Sequence, residues 1–399
     1  MGKKIIRQYM WLTSIDHLFM GLHTAIYVTY LLSNGLDLLQ VNLVNVAFMV
    51  SVFILEIPTG AIADLFGRKV SFVSSSVVMA LGFIWYGITD NFVGFVIAEI
   101  TIALAVTLTS GAFRAWLVDS LQYHSWPGEL SDVFRLEGRC RNVATLLGGL
   151  IGAYIGAVSL SLPMIITGIG FLGLAFLAAV IVREDYFTPK KLSEVKVWWN
   201  LKEIATTSVS YGLKHKIVFM VITATTVFNL GFPAFNMYWQ PQFSEYLSNT
   251  EYLGYVWVFV VLTAMIGNEL VRFFTKKFPR QKIGFVVIGL VVGLFMVVAA
   301  MSNTLSILVL GFMGHEMMRG LIRPYVDTTI QESIPSKTRA TVDSFVHMIA
   351  TGASGIGLVM SGLIAKYYSI DTAWLISGLI IILAMPAVMF FNGKKVTRL

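Results

Sequence analysis

Long apolar runs separated by short polar connections dominate this chain, and they restrict its fold more than any other feature. About twelve of the runs approach 20 residues, the length that an α-helix needs to cross a bilayer. Lipid offers backbone polar groups no partner, so such a chain must form helices or a closed barrel, and unbroken apolar runs indicate helices. The predicted spans are Tyr9–Leu32, Leu39–Ala63, Val70–Ile88, Phe92–Val118, Leu136–Leu160, Leu162–Val182, Ile217–Trp239, Tyr252–Phe274, Ile283–Met301, Leu305–Tyr325, Val342–Ala365 and Ala373–Phe391.

Composition and charge agree with a membrane protein. The chain is 56% hydrophobic and 13% charged, against about 25% charged residues in soluble proteins. Its net charge of +7 comes from basic residues grouped in alternate connections, with Lys366 as the exception. Positive connections stay in the cytoplasm, so both termini are predicted there and the number of spans is even. This distribution indicates membrane topology and not a nucleic-acid-binding surface.

The polar stretch 183–216 divides the predicted spans into two groups of six. We therefore predict an N-terminal six-helix bundle over 1–182, a cytoplasmic linker over 183–216 and a C-terminal six-helix bundle over 217–399. Within the linker, Trp198, Leu201, Ile204 and Ala205 have helical spacing, which predicts a helix on the membrane surface. An irregular linker is the alternative.

A short polar turn between spans 2 and 3 carries a specific pattern. Gly60 and Gly67 are expected to allow close backbone approach, while Asp64, Arg68 and Lys69 place charges at the membrane edge. These residues resemble the Gly-x-x-x-Asp-x-x-Gly-Arg-Lys loop of the major facilitator superfamily. That resemblance implies an all-α membrane protein with twelve helices in two pseudo-symmetric six-helix bundles, which transports solutes by alternating access.

The two halves also share a repeated pattern, which is typical of transporters built from parallel repeats. A glycine, an arginine and an aromatic residue recur at the ends of spans 4 and 10, and an aspartate follows with a shift of one position. These residues are Gly111, Arg114, Trp116 and Asp119 in the first half and Gly320, Arg323, Tyr325 and Asp327 in the second. Gly60 similarly corresponds to Gly267. Chance similarity is the alternative.

The resemblance further implies a cytoplasmic gate that opens and closes during transport. In it, Arg68 and Asp119 would form a bridge that latches the outward-open state, and Asp64 would face a helix N-terminus. The predicted gate residues are Gly60, Asp64, Gly67, Arg68, Lys69, Arg114, Asp119, Arg323 and Asp327.

Ionisable residues within the apolar runs are candidates for coupling and binding, because a charge at mid-membrane costs at least ~2.5 kcal/mol. Glu316 begins a series on one face of span 10 that continues with Arg319 and Arg323. Glu316 either exchanges a proton, with Arg319 tuning its pKa, or forms a permanent ion pair with Arg319 that holds helices together. Glu99 stands near a position where related transporters carry arginine, and it is either a proton or cation site or an acid that packs helices together.

Span 1 carries a second group of candidates. Asp16, His23 and Tyr27 share one helical face and are predicted to bind a polar group or pass a proton, with hydrogen-bonded packing as the alternative. Weaker cavity candidates are Asn229, Asn236 and His347. The histidines are not spaced as a metal site, so no metal is expected.

Span 5 bears on the direction of transport. Its glycines Gly148, Gly149, Gly152 and Gly156 predict close helix packing, and the stretch resembles the exporter motif Gly-x-x-x-Gly-Pro-x-x-Gly-Gly. Ala153 and Ala157 replace the proline and the last glycine of that motif, which weakens the inference.

The predicted function is proton-coupled export of amphipathic or hydrophobic compounds, antibiotics included, as in the twelve-helix drug:proton antiporter branch. Proton-coupled uptake of a small polar solute is the alternative, and a membrane sensor that does not transport is a more distant one. No motif indicates an enzyme or a cofactor, and the proton is the expected coupling ion. The expected partners are a small-molecule substrate, protons and the lipid of the cell membrane, with a monomer as the expected state.

Overall fold

The computed structural model describes residues 1–187, 215–334 and 336–390, and every regular element in these ranges is helical. This confirms the all-α prediction. The α-helices are α1 (Gly2–Leu22), α2 (Tyr27–Ser33), α3 (Leu38–Phe66), α4 (Arg68–Ile88), α5 (Phe92–Thr109), α6 (Ala112–Tyr123), α7 (Leu130–Val158), α8 (Leu162–Ile181), α9 (Lys216–Ser244), α10 (Glu251–Glu269), α11 (Val271–Lys277), α12 (Gln281–Ala300), α13 (Leu305–Ser333), α14 (Ser336–Tyr367) and α15 (Ile370–Ala384); a 3₁₀-helix, Met385–Phe390, follows.

Eleven segments of the described chain are long and apolar enough to cross a membrane, with α5 and α6 forming one of them. The remaining predicted span, Tyr9–Leu32, is occupied by α1 and α2, which are separated by a four-residue break, 23–26. The order of elements therefore agrees with the predicted series of spans. The prediction of a single unbroken helix in span 1 is wrong.

Glycines of α7 bring α1 unusually close just before this break. A Cβ on Gly148 would lie 2.3 Å from the carbonyl oxygen of Leu18, and one on Gly152 would lie 1.7 Å from that of Leu22. Only glycine permits this approach. The predicted packing role of the span 5 glycines is thus present, and it is directed at the end of α1.

Span 4 is also divided, which corrects the prediction of one helix over Phe92–Val118. Helix α5 ends at Thr109 and α6 starts at Ala112, with Gly111 between them at φ +69°. L-residues with a side chain rarely adopt this left-handed conformation, so the glycine makes the turn possible. The hydroxyl of Ser110, beside the turn, donates to the Glu56 carboxylate at 2.8 Å.

The turn between spans 2 and 3 is tighter than predicted. Helix α3 continues to Phe66, so Gly67 alone separates it from α4, and Gly60 lies inside the helix. A Cβ on Gly60 would meet no described atom within 4 Å. The prediction that Gly60 allows close packing is therefore wrong for the described residues.

The described residues form two compact units. The first contains 1–36, 44–187 and 247–258, and the second contains 37–43, 215–246 and 259–390. Helices α3 and α10 therefore each begin in one unit and continue in the other. The predicted surface helix around Trp198 lies outside the described residues.

Each unit has its own aromatic core. In the first, α4 packs on α5 and α8, and α1 packs on α7, while the rings of Phe72 and Phe113 stack with centroids 3.9 Å apart. In the second, α9 packs on α14 and α15, and α12 packs on α13 and α15. There Phe235 stacks on Trp374 at 4.2 Å, and both rings are fully buried. Apolar burial of this kind fixes the helices that carry the polar residues described next.

Candidate functional site

A buried polar cluster in the first unit joins three helices. The Tyr27 hydroxyl donates to Oε1 of Glu99 at 2.7 Å, and Nδ2 of Asn45 donates to the Tyr27 oxygen at 3.1 Å. Glu99 is only 7% exposed, and it forms no ion pair with any described residue. A buried carboxyl group held only by neutral donors is rare, because its charge is not compensated.

The break in span 1 positions this cluster. Tyr27 is the first residue of α2, directly after the turn that begins at His23. The His23 ring lies 4.8 Å from the Phe83 ring and 6.1 Å from that of Tyr27, and its Nδ1 atom is buried with no hydrogen-bond partner among the described residues. A buried nitrogen without a partner, on a ring near the tyrosine that donates to a buried acid, is suited to a proton or a polar ligand group.

Asp16 does not join this cluster in the described structure. Its carboxylate lies 3.2 Å from Nδ1 of His17, which also donates to the Thr13 carbonyl oxygen at 2.9 Å. The continuous stripe predicted from Asp16 to Tyr27 is wrong, because the helix that would carry it ends at Leu22.

The second unit contains a different cluster, on α13. Nε of Arg319 donates to the Glu316 carboxylate at 2.9 Å, and the guanidinium Nη2 contacts the same oxygen. The other carboxylate oxygen lies 3.2 Å from Nδ1 of His315. His315 is fully buried, with its ring 4.5 Å from that of Phe235. Here the buried acid is held by a cation and lies beside a histidine.

The weaker cavity candidates lie outside both clusters. Asn229 uses its amide within its own helix, donating to the Thr225 carbonyl oxygen at 2.8 Å. Asn236 and His347 are exposed on α9 and α14. Helical spacing alone could not distinguish these positions from the clustered ones.

The loop over residues 60–69, called the signature loop below, has a partner in the structure that sequence reasoning missed. The Glu184 carboxylate accepts the backbone N–H groups of Arg68 at 2.8 Å and Lys69 at 3.0 Å, and so caps the start of α4. Gly67 has φ +94°, and a Cβ there would lie 2.6 Å from the Glu184 carboxylate. The sequence did contain a signal for this contact: Glu184 comes just after span 6, on the side of the membrane where the loop is also predicted to lie. A carboxylate at a helix N-terminus is stabilised by the helix dipole.

Tyr186 extends this group towards the predicted gate residues. Burial, followed by the charges of Glu184 and Asp119, raises the pKa of the Tyr186 hydroxyl, while Arg68 opposes them. Asp119 and Arg68 therefore share an electrostatic environment. The Asp64 side chain lies outside the described residues, so its predicted contact stays a prediction.

The repeat-related arginines have different partners. Arg114 lies over the Phe134 ring at 3.9 Å, with its Nε atom 3.6 Å from the Glu137 carboxylate. Arg323 pairs with Asp327 at 2.9 Å and with Asp343 at 3.2 Å. Sequence reasoning singled out neither Glu137 nor Asp343, because each belongs to a different helix from its arginine.

Comparison with known proteins decides the family. A family model described as Major Facilitator Superfamily matches residues 10–342, which is more than half of the chain. The chain belongs to the major facilitator superfamily. The matched range includes residues 60–69, where the sequence resembles a loop of that family.

Other members of the superfamily are similar along most of the chain. The uncharacterized MFS-type transporter YxaM of Bacillus subtilis is 23% identical over 269 residues, which are 67% of this chain and 66%, just under two thirds, of that protein. The uncharacterized MFS-type transporter MJ1560 of Methanocaldococcus jannaschii is 23% identical over 301 residues, covering 72% of this chain and 71% of that protein.

Solved structures of the superfamily share the fold. The nucleoside transporter NupG has a TM-score of 0.76 at 13% identity, covering 97% of this chain and 98% of that one. A bacterial homolog of the human lysosomal transporter Spinster, inward-facing and occupied, has a TM-score of 0.77 at 10% identity, covering 97% and 96%. At these identities the similarity establishes the fold alone.

Membership of the superfamily makes this chain a multi-pass membrane protein of a family of transporters. Members of the superfamily are transporters and not enzymes, and they generally need no cofactor. The drug:proton antiporter branch stays a prediction.

Proposed function

We propose that this chain is a proton-coupled secondary transporter in which Glu99 binds and releases the coupling proton. The observation that carries the proposal is the neutral environment of this buried carboxyl group, whose hydrogen-bond donor is the Tyr27 hydroxyl at 2.7 Å. When such a group gains or loses a proton, no partner cation is left behind unpaired. A change of charge at Glu99 therefore breaks no ion pair, although the charged form itself is costly in a buried site, which is typical of a functional residue.

Glu316 is the less suitable of the two buried acids. Protonating it would leave the Arg319 guanidinium, which now donates to it at 2.9 Å, without its counter-charge. Removing one partner of a buried ion pair strongly destabilises a protein. Of the two alternatives considered for Glu316, we therefore propose the permanent ion pair.

For the solute, we propose export of amphipathic or hydrophobic compounds, antibiotics included. A proton and a solute that compete for one buried carboxyl group would exchange across the cell membrane, since loading one releases the other. The chain, with 56% hydrophobic residues, 28 Phe, 18 Met and 9 Trp, suits loosely specified apolar ligands. We propose that the monomer is the working unit and that nucleic acid is not a partner.

Uptake of a polar solute with a proton remains the alternative. The fold similarity to a nucleoside transporter makes nucleosides a reasonable test compound for it. The two proposals differ in sign: competition predicts that the solute releases a proton from the protein, whereas symport predicts that the solute and a proton are taken up together.

The test is a proton-release assay on the purified chain in weakly buffered detergent with a pH-indicator dye. Tetraphenylphosphonium, chloramphenicol and uridine would be added in turn. We expect a proton to be released on adding a lipophilic compound. We expect Glu99→Gln to abolish that release and to bind the compound more weakly, because an amide resembles the proton-loaded acid with which the compound competes.

The matched control is Glu129→Gln, which removes an exposed acid of the same unit and should leave proton release intact. Undiminished release from the Glu99→Gln protein would exclude Glu99 as the coupling residue. Proton uptake on adding uridine would favour symport.

A further inference from the structure

A cavity of about 230 Å³ lies in the first unit, where α1 begins and α8 ends. Its walls come from the first turns of α1, from the end of α6 and from the segment that follows α8. This place is remote in sequence from the Glu99 cluster. The transport proposal does not use it.

The charged side chains that line the cavity are two cations and one acid. Lys4 and Arg183 are both exposed, and neither forms an ion pair with any described residue. The Nδ1 atom of His124 is buried and has no hydrogen-bond partner in the described chain. Asp185 is the one acid among the described lining residues. The cavity thus offers donors that no protein acceptor occupies.

The apolar lining faces lipid. Val180 and Ile181 close one side and belong to the last turn of α8, a membrane-spanning helix, and Val180 is 64% exposed. Ile5 contributes a buried apolar surface from α1. Cations just beyond the end of a span, beside an apolar wall open to lipid, match the two parts of a phospholipid.

We propose that this cavity binds the phosphate headgroup of an anionic phospholipid. The Arg183 guanidinium matches a phosphate with two parallel hydrogen bonds, Lys4 adds a second charge, and His124 supplies a buried nitrogen. The acyl chains would lie along Val180 and Ile181. Basic pockets at the cytoplasmic ends of spans bind anionic headgroups in this way, and positive connections predict that this end of the unit is cytoplasmic.

The site has a route to the signature loop. Glu184, which caps α4 through the N–H groups of Arg68 and Lys69, lies between the lining residues Arg183 and Asp185. A headgroup held by Arg183 would therefore act on the same short segment that positions the loop. Lipid composition would in this way affect transport without any contact with the solute.

The experiment is native mass spectrometry of the purified full chain in an equimolar mixture of phosphatidylglycerol and phosphatidylcholine. We expect wild type to retain phosphatidylglycerol preferentially. The double variant Lys4→Gln/Arg183→Gln should lower its apparent affinity by about tenfold, and Asp185→Asn should raise it by removing a like charge.

The matched control is Lys3→Gln/Arg7→Gln. It also removes one lysine and one arginine, both from α1 and on either side of Lys4, but neither residue lines the cavity. It should retain phosphatidylglycerol like wild type. An equal loss in both double variants would show general surface attraction and overturn the proposal. Protection from thermal unfolding by inorganic phosphate, without preference between the two lipids, would overturn the lipid assignment in favour of free phosphate.

Discussion

The two buried carboxyl groups of the described chain, one in each unit, are satisfied in opposite ways. Glu99 accepts from the uncharged hydroxyl of Tyr27, whereas Glu316 accepts from the guanidinium of Arg319 and lies beside His315. A buried acid with neutral partners can change its charge alone, but an acid paired with a cation cannot. The comparison suggests a rule that can be tested: the charge of its partners distinguishes a buried acid able to couple a proton from a structural one.

The backbones of spans 1 and 4 also differ from those of their counterparts in the second unit. Spans 1 and 4 of the first unit are broken at 23–26 and at Gly111, while α9 and α13, their counterparts in the repeat, are continuous. Helix α9 contains Pro233 and α13 contains Pro324, yet neither breaks. Irregular backbone within a membrane is tolerated where protein or a cavity satisfies its polar groups. The break at 23–26 directly precedes Tyr27, which donates to Glu99. The second unit has its own break, at Leu270 between α10 and α11.

The largest expected effect tests whether Glu316 has a structural role. Glu316→Gln leaves the Arg319 guanidinium without its counter-charge and should lower the free energy of unfolding by about 3 kcal/mol, the low end for a broken buried pair because the Arg319 side chain is 37% exposed. Thermal unfolding in detergent, followed by tryptophan fluorescence, measures this. Glu99→Gln should cost less than about 1 kcal/mol, since an amide oxygen still accepts from Tyr27.

The double variant Glu316→Gln/Arg319→Gln separates an ion pair from a simple packing defect. It should recover much of the stability lost in Glu316→Gln, because no unpaired charge remains. Equal stability of the Glu99→Gln and Glu316→Gln proteins would remove the contrast between the units. If the double variant recovers stability and still releases a proton, the contrast between a structural Glu316 and a coupling Glu99 becomes stronger.

Repeat-related glycines provide the next test of the difference between the units. Gly267→Ala places a Cβ 1.8 Å from the Met317 carbonyl oxygen, so the helices must separate, and we expect a loss of about 2 kcal/mol. Gly60→Ala, at the corresponding position, adds a Cβ with no described atom within 4 Å and should be neutral or slightly stabilising. Thermal unfolding of the two variants side by side measures the difference, and a larger loss for Gly60→Ala would contradict the packing described here.

Much of the fold could be predicted, because a membrane span depends on the length and polarity of an apolar stretch, and both can be read directly from the sequence. The break at 23–26 could not, since His-Thr-Ala-Ile contains neither proline nor glycine. It depends on tertiary contacts, such as the approach of Gly152 to the Leu22 carbonyl oxygen. Conversely, Gly111 was visible as a repeat residue, but only the structure shows that its φ angle, and not close packing, requires glycine.

The candidate site was predictable as a set of residues and not as an arrangement. Glu99, Tyr27, Glu316 and Arg319 were all identified because ionisable and polar groups are costly in apolar runs. Their partners depend on which helices are neighbours, which one sequence does not state. The i, i+3 pair of Glu316 and Arg319 was the exception, since helical geometry alone brings such residues together.

The smallest expected effect concerns an ion pair at the surface of the second unit, for comparison with the buried one. Nζ of Lys366 lies 2.9 Å from the Asp37 carboxylate, and both side chains are partly exposed. Burial alone would raise the pKa of Asp37, but the Gln40 backbone N–H and Lys366 outweigh it and lower that pKa from its ordinary 3.8. Exposed pairs of this kind contribute little, so Asp37→Asn should shift the unfolding temperature at neutral pH by only about 1 °C.

The sign of the pH dependence makes this small effect testable. Because the Asp37 pKa is lowered in the folded state, its contribution is fully present above the ordinary value of 3.8 and is lost as the pH falls through the lower folded value. Wild type and Asp37→Asn should therefore differ at neutral pH and converge in acid. Asp90→Asn, an exposed acid that forms no ion pair with any described residue, should follow wild type throughout. A difference between wild type and Asp37→Asn that widens in acid would show that Lys366 does not stabilise the Asp37 carboxylate.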